Sequence, residues 1–299
     1  MPPYQKESFV DIELFDYDPI IGRAPVRWPG GARVAFYVGL NIEHFSVDRP
    51  TLSWHEALGK LVPDVTSYGW RDYGPRVGIW RLIDILDRQG VRATAMLNSD
   101  AGERYPQIVE AGRKRDWAWL AHGRSTSIPQ VGMSEDDERA YLTEVFDSIE
   151  KTTGQRPRGW LSPGLTETFN TPRLLAELGI DYLLDWANDD QPYRLKVPGL
   201  LSVPYTLELV DVQIFHMKSF TGADYLQMVK DAFDQLHEDS ADSGRVMSLS
   251  LHPFIAGQPF RAKYVEKAIE YIVNHPGAWV TTSDEIAAHS RTRAYSDSL

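Results

Sequence analysis

Apolar, β-branched runs and amphipathic helical patterns alternate along most of this chain, and that alternation limits its fold more than any other feature. Arg33–Ile42 (RVAFYVGLNI) reads as a buried strand. Pro75–Gln89 reads as a helix, with Ile79, Leu82, Ile83 and Leu86 along one face and Gly90 as its stop. A strand is expected at Val91–Leu97, a helix at Tyr105–Gly112 and a strand at Asp116–Ala121. The helix Ser134–Thr152 opens with a Ser N-cap and the acids Glu135, Asp136 and Asp137, which suit unpaired N–H groups and the helix dipole. Short strands are expected at Gly159–Leu161, Tyr182–Trp186 and Leu200–Val203, and a helix at Pro172–Leu178 with Thr171 as its cap. Helices at Ala223–His237, Ala262–Asn274 and Ser283–His289 and strands at Val246–Leu251 and Trp279–Thr281 complete the pattern. Such alternation implies an α/β architecture around a parallel sheet.

The chain has 299 residues, a length that β/α barrels reach as one domain, and no linker divides it. Residues 1–30 lack periodicity and read as an ordered arm that wraps the barrel or a neighbour. LNIEHF follows the first strand where a Rossmann or P-loop fold would place a Gly-rich phosphate loop, which weighs against both. The sequence contains no cysteine, so disulfides, thiolate metal sites and cysteine nucleophiles are excluded. A formal charge of −11 disfavours nucleic-acid and anionic-membrane partners. With no apolar signal core and no membrane-length run, the sequence reads as cytoplasmic.

In a β/α barrel, reactive groups sit where strands end. The first strand ends in Asn41-Ile42-Glu43-His44, with Asn41 and Glu43 on one side by alternation. Glu43 is either a general base or metal ligand, or an acid paired with a neighbouring Arg. His44 either joins the site or faces solvent. His122-Gly123-Arg124 follows the third strand, and His122 is either a site residue or a satisfied structural histidine. Trp160 either packs on a flat substrate or fills the core. Trp186-Ala187-Asn188-Asp189-Asp190 has the density of polar and aromatic groups expected of a binding loop. His252 ends a late strand and is either a general acid or held in a structural hydrogen bond. Arg261, shortly after it, either orients a substrate carbonyl or carboxylate or pairs with a loop acid. His216 is a weaker candidate, and His55, His237, His275 and His289 read as surface.

This order of a strand-end acid, a His turn, GWLSPGLTETFNTP, DWANDDQPY and LHPFIAGQPFR resembles the polysaccharide deacetylase superfamily over roughly residues 30–290. The resemblance is closest to its allantoinase-like branch. It implies a distorted (β/α)7 TIM-like barrel and hydrolysis of a non-peptide C–N bond. In the superfamily's metal-dependent members a Zn-type ion is held by an Asp and a His-x-x-x-His pair. On that pattern Glu43 takes the base position, His44 and His122 the ligand positions, and His252 the acid position. Glu43 is a further candidate ligand. Thr126 stands where the second His belongs, so the site is either completed by another acid or metal-free, as in some members of the branch. Arg124, Trp160, Trp186, Asp189, Asp190 and Arg261 are the expected substrate-binding residues. The resemblance also implies a homo-oligomer, with a tetramer as one form, and a small-molecule amide, cyclic imide or ureide as substrate. A metal-dependent sugar N-deacetylase and a non-catalytic binding barrel are the two rival readings.

Overall fold

Strand β1 (Val34–Ile42) organises the molecule, because all nine of its residues are buried. In the computed structural model, which describes residues 12–49, 54 and 62–296, β1 lies between β2 (Ala93–Leu97) and β8 (Arg245–Leu251), both parallel to it. The sheet continues through β3 (Ala118–Ala121), β4 (Gly159–Trp160), β5 (Tyr182–Leu183) and β7 (Leu201–Ser202), all parallel. The edge strand β6 (Tyr193–Arg194) is antiparallel, and β9 (Ala278–Thr281) pairs with the first half of β1. Here the sequence-based expectation of a parallel α/β sheet holds, and the sheet curls into a distorted, incompletely closed barrel.

Alternation along the strands sorts the core into two layers. Phe36, Val38, Leu40 and Ile42 of β1 face outward, in one cluster with Ile79, Leu82, Ile83 and Leu86 of α2 (Ile79–Gln89). Ala35 and Tyr37 face inward, in a second cluster with Met96, Leu120, Leu161, Tyr182 and Val246. Strands covered on both faces read as continuous apolar runs, as β1 does. Between β7 and β8 the sheet is bridged by side chains. Tyr205 Oη donates to Ser250 Oγ (2.8 Å), and Thr206 and Ser248 exchange backbone-to-hydroxyl bonds of 2.9 Å.

Around the sheet run α1 (Val65–Tyr73), α3 (Ser99–Arg104), α4 (Pro106–Arg113), α5 (Glu135–Thr153), α6 (Thr171–Glu177), α7 (Gly222–Asp239), α8 (Pro259–Val273) and α9 (Ser283–Ser296). Two of these were not expected from the sequence: α1 buries the polar Ser67 and Arg71 rather than apolar side chains, and α3 is only six residues long. Helix α1 is capped by Asp64, whose side chain accepts from Ser67 N, and passes through a π-helical turn at Gly74–Gly78 into α2. Tertiary packing places α3 against α5, where a Cβ on Gly102 would lie 3.1 Å from Thr152 Oγ1. Ser134 caps α5 as expected, accepting from Asp137 N. The cap of α6 is Asn170 rather than Thr171, whose hydroxyl instead accepts from Thr168 N.

Residues 12–30 of the arm wrap the barrel itself. Trp28 is buried and donates its indole N–H to Arg245 O (2.9 Å). Lys196 N donates to Leu14 O (2.7 Å). Residues 1–11 of the arm, and His55, lie outside the described residues. No helix among the described residues is long and apolar enough to cross a membrane.

Candidate active site

The inward register of each strand continues one residue past its end, and there it delivers polar groups. After Asn41 in β1 comes Glu43, after Met96 in β2 comes Asn98, after Leu120 in β3 comes His122, and after Ser250 in β8 comes His252. These four side chains, with Thr126, form the candidate site at the C-terminal ends of the strands.

Glu43 is the centre. Its side chain is 5% exposed. Thr126 Oγ1 donates to Glu43 Oε1 (2.7 Å), and His122 Nε2 lies 3.5 Å from the same oxygen. His252 Nε2 lies 3.7 Å from Oε2, which has no hydrogen-bond partner among the described residues. Burial pushes this carboxyl toward the neutral form. The imidazoles of His252 and His122 and the Thr126 hydroxyl outweigh it, and the carboxyl is lowered to about 2. Glu43 is therefore a carboxylate throughout the neutral range.

Each imidazole has a fixed back side. His122 Nδ1 lies 2.7 Å from Leu161 O, which can only accept, so Nδ1 carries the proton and Nε2 faces Glu43. His252 Nδ1 bonds Asp211 Oδ1 (2.6 Å), and His252 N donates to Asp211 Oδ2 (2.7 Å). Burial lowers the His252 pKa, but the charges of Asp211 and Glu43 outweigh it and raise the pKa above the usual histidine value. His252 is thus inclined to be an imidazolium, with Nε2–H directed at the site.

Asn98 holds the turn together. Its Oδ1 accepts from His44 N (2.9 Å) and Thr126 N (3.2 Å), and its amide nitrogen donates to His122 O. Gly123, next in chain, has φ +66°, and a Cβ there would fall 2.6 Å from Pro163 Cγ and from Tyr141 Oη. Only glycine fits, which explains the His-Gly pair.

The structure spreads the other expected site residues more widely. His44 Nδ1 lies 3.3 Å from Tyr105 Oη. Arg124 pairs with Asp100 at 3.3 Å and is half exposed. Trp160 is fully buried and donates its N–H to Ser162 Oγ (2.7 Å), so its environment is the core alternative. Trp186 packs edge-on against Phe15 of the arm and borders a cavity of about 1220 Å³ that Glu167, Phe169 and Met133 also line. Asp189 is paired with Arg23 of the arm (2.7 Å), not with Arg261. Asp190 O accepts from Val246 N (2.8 Å). Arg261 sits 4.8 Å from the ring centroids of both Phe215 and Phe260. The His216 ring lies tilted by 38° against Trp70, with centroids 4.9 Å apart.

Sequence reasoning missed Asn98 and Asp211. Asn98 was legible as a polar residue one step beyond an apolar strand. Asp211 carries only a weak signal, a lone acid in the apolar stretch LVDVQIF, and its partner is 41 residues away.

The donor set does not fit a catalytic Zn ion, which wants three protein ligands and an open position. No cluster of three His, Asp or Glu among the described residues could hold a metal. At the position of the missing second His, the Thr126 hydroxyl donates to Glu43 and is committed there.

The sequence profile of the family described as polysaccharide deacetylase matches residues 70–183. A Schizosaccharomyces pombe protein named as a polysaccharide deacetylase is 28% identical over 237 residues, covering 72% of this chain and 73% of that one. A crystal structure from Pseudomonas aeruginosa PAO1, described as a polysaccharide deacetylase, superposes with TM-score 0.80 at 28% identity, over 93% of this chain and 98% of that one. The crystal structure of PuuE allantoinase superposes with TM-score 0.82 at 27% identity, over 95% of this chain and 98% of that one.

Proposed function

We propose, for a chain that belongs to the polysaccharide deacetylase superfamily, that it hydrolyses a non-peptide C–N bond of a small molecule: an amide, a cyclic imide or a ureide. The observation that carries this reading is Glu43, an ionised, nearly dry carboxylate set between two oriented imidazoles. The likeness to PuuE allantoinase over nearly the whole of both chains supports the substrate class.

The reaction follows from the charges. Glu43 accepts a proton from a water molecule. A carboxylate this acidic is a weak base toward free water, but the water becomes strongly acidic as its oxygen bonds to the carbonyl carbon. His122 Nε2 orients that water or the oxygen it becomes. His252, backed by Asp211, gives its Nε2 proton to the leaving nitrogen as the C–N bond breaks. The Asp211 carboxylate holds one ring orientation and stabilises the imidazolium before transfer. Asn98 and Gly123 fix the turn that carries His122.

A substrate panel tests this. The purified protein is incubated with cyclic imides, hydantoins, linear ureides and N-acetylated amino sugars, and ring opening, ammonia and acetate are measured. Turnover within the first three classes is expected. Acetate release from the amino sugars alone overturns the small-molecule reading.

A further inference from the structure

Arg71 of α1 is only 3% exposed, yet its Nε and Nη2 have no hydrogen-bond partner among the described residues. Its guanidinium carbon sits 4.4 Å from the centroid of the Phe45 ring, which holds the group in one plane. Burying a guanidinium with its donors unpaired is costly, and buried donors of this kind normally have an acceptor. Arg23 shows the usual arrangement, with two nitrogens bonded to both oxygens of Asp189. The acids whose fields reach Arg71, Glu43 and Asp64, do not hydrogen-bond its two free nitrogens.

The free atoms have a specific shape. Nε and Nη2 form the lateral edge of a guanidinium, with two parallel N–H groups in one plane. That edge matches the two oxygens of a carboxylate. Two small hollows meet at Arg71, Glu43, Phe45 and Pro75, each of about 10 Å³, room for roughly one oxygen-sized occupant. Asn41 and Phe254 close one of them, and Tyr68 and Tyr105 the other.

We infer that Arg71 is a specificity-determining residue whose Nε–Nη2 edge takes the two oxygens of a carboxylate on the molecule that binds beside Glu43. This rests on the reading above that Glu43 marks the substrate position. A neutral carbonyl offers one oxygen and leaves one N–H without a straight bond. A carboxylate satisfies both and compensates the buried cation. Repulsion from Glu43 is limited, because His252 and His122 already face that carboxylate.

Calorimetric titration with N-carbamoylglycine and with its uncharged primary amide tests the inference without requiring turnover. The wild-type protein is expected to bind the acid at least about tenfold more tightly than the amide, as a charge-assisted bidentate pair implies. Arg71→Met is expected to erase that preference. Arg71→Lys, which keeps the charge but not the fork, is expected to retain only part of it. Equal affinity for the two compounds in the wild type, no binding of the acid, or a preference that survives in Arg71→Met overturns the inference. The comparison of the two compounds in the wild type decides even if neither variant folds. A wild-type protein that prefers the acid but hydrolyses nothing in the substrate panel refutes the proposed reaction and leaves the role of Arg71 standing.

Discussion

Glu43 and Glu167 are both glutamates enclosed at the mouth of one barrel, and burial drives both carboxyls toward the neutral form. They arrive at opposite ends of the scale. Glu43 is lowered to about 2, because two imidazoles and a hydroxyl face it. Glu167, in the loop after β4, is raised to about 10, because burial is reinforced by the neighbouring Asp185 carboxyl. Asp185 is itself raised by burial, although Ser162 donates to it through both N and Oγ at 2.7 Å. Desolvation is common to the two sites, and the sign of the neighbouring charge separates them. One glutamate is a fixed carboxylate, suited to taking a proton in a reaction. The other is a fixed acid that shares its surroundings with a second carboxyl.

The most severe test of that contrast is Glu43→Gln. It keeps the shape and the Thr126 contact but removes the charge between the imidazoles. A general base typically contributes about 10²–10⁴-fold, so kcat/KM on the best substrate of the panel should fall by that order. Steady-state kinetics checks it, and a rate near wild type removes Glu43 from the chemistry.

Asp211→Asn comes next. It takes away the charge that does most to hold His252 protonated. The raised His252 pKa then falls, so the pH at which the acid is lost, the alkaline limb of the kcat/KM profile, moves to lower pH. The rate at neutral pH should drop by about 10–100-fold, part of the roughly 10²–10⁴-fold that a general acid contributes. An unmoved alkaline limb would mean that His252 is not the acid.

How much of this contrast was legible in the sequence differs between its two halves. Glu43, His122 and His252 could be read because strand alternation is local: period two carries an inward residue one step past the strand end. The strands themselves were legible because β1 and β8 are buried on both faces and so are continuously apolar. The Glu167–Asp185 pair was not legible, since its two acids lie 18 residues apart on different loops and nothing local marks them as neighbours. Asp211 was hidden for the same reason. Asp189 shows the converse situation. A dense polar loop suggests a binding site from sequence, but Asp189 is engaged by Arg23, a partner 166 residues away. Helix α1 was not legible because the side chains it buries, Ser67 and Arg71, are polar, and α3 is too short, at six residues, to show a period.

Glu167→Gln sharpens the other side of the comparison. A carboxyl whose pKa is raised on folding binds a proton in the native state that the unfolded chain has released. Its contribution is therefore fully present below the unfolded value, near 4.5, and is lost as pH rises through the folded value, about 10. In the wild type this group makes stability fall with rising pH across that window, by at most about 1.4 kcal/mol per pH unit. The amide has no proton to lose, so urea unfolding of Glu167→Gln between pH 5 and 9 should show a flatter pH dependence. An identical slope in both proteins would mean that Asp185, not Glu167, holds the proton.

The smallest expected effect concerns what covers the Glu167 side. The arm reaches this region through Phe15, edge-on to Trp186 and Tyr193, and through Arg23, bonded to Asp189. The ion pair is largely enclosed, with side-chain exposures of 16% and 12%. Arg23→Gln removes one charge and leaves Asp189 with the donor of Gln191 N (2.9 Å), so the loss is partly compensated. The cost should be about 1–2 kcal/mol, above that of an exposed pair because this one is bidentate and largely enclosed, and should show as a drop in the urea midpoint. Because no residue of this pair touches Glu43, His122 or His252, kcat should not change. If kcat does fall with Arg23→Gln while stability holds, the cavity beside Glu167 and Trp186 belongs to the reacting site, and the two glutamates do not act as separate regions.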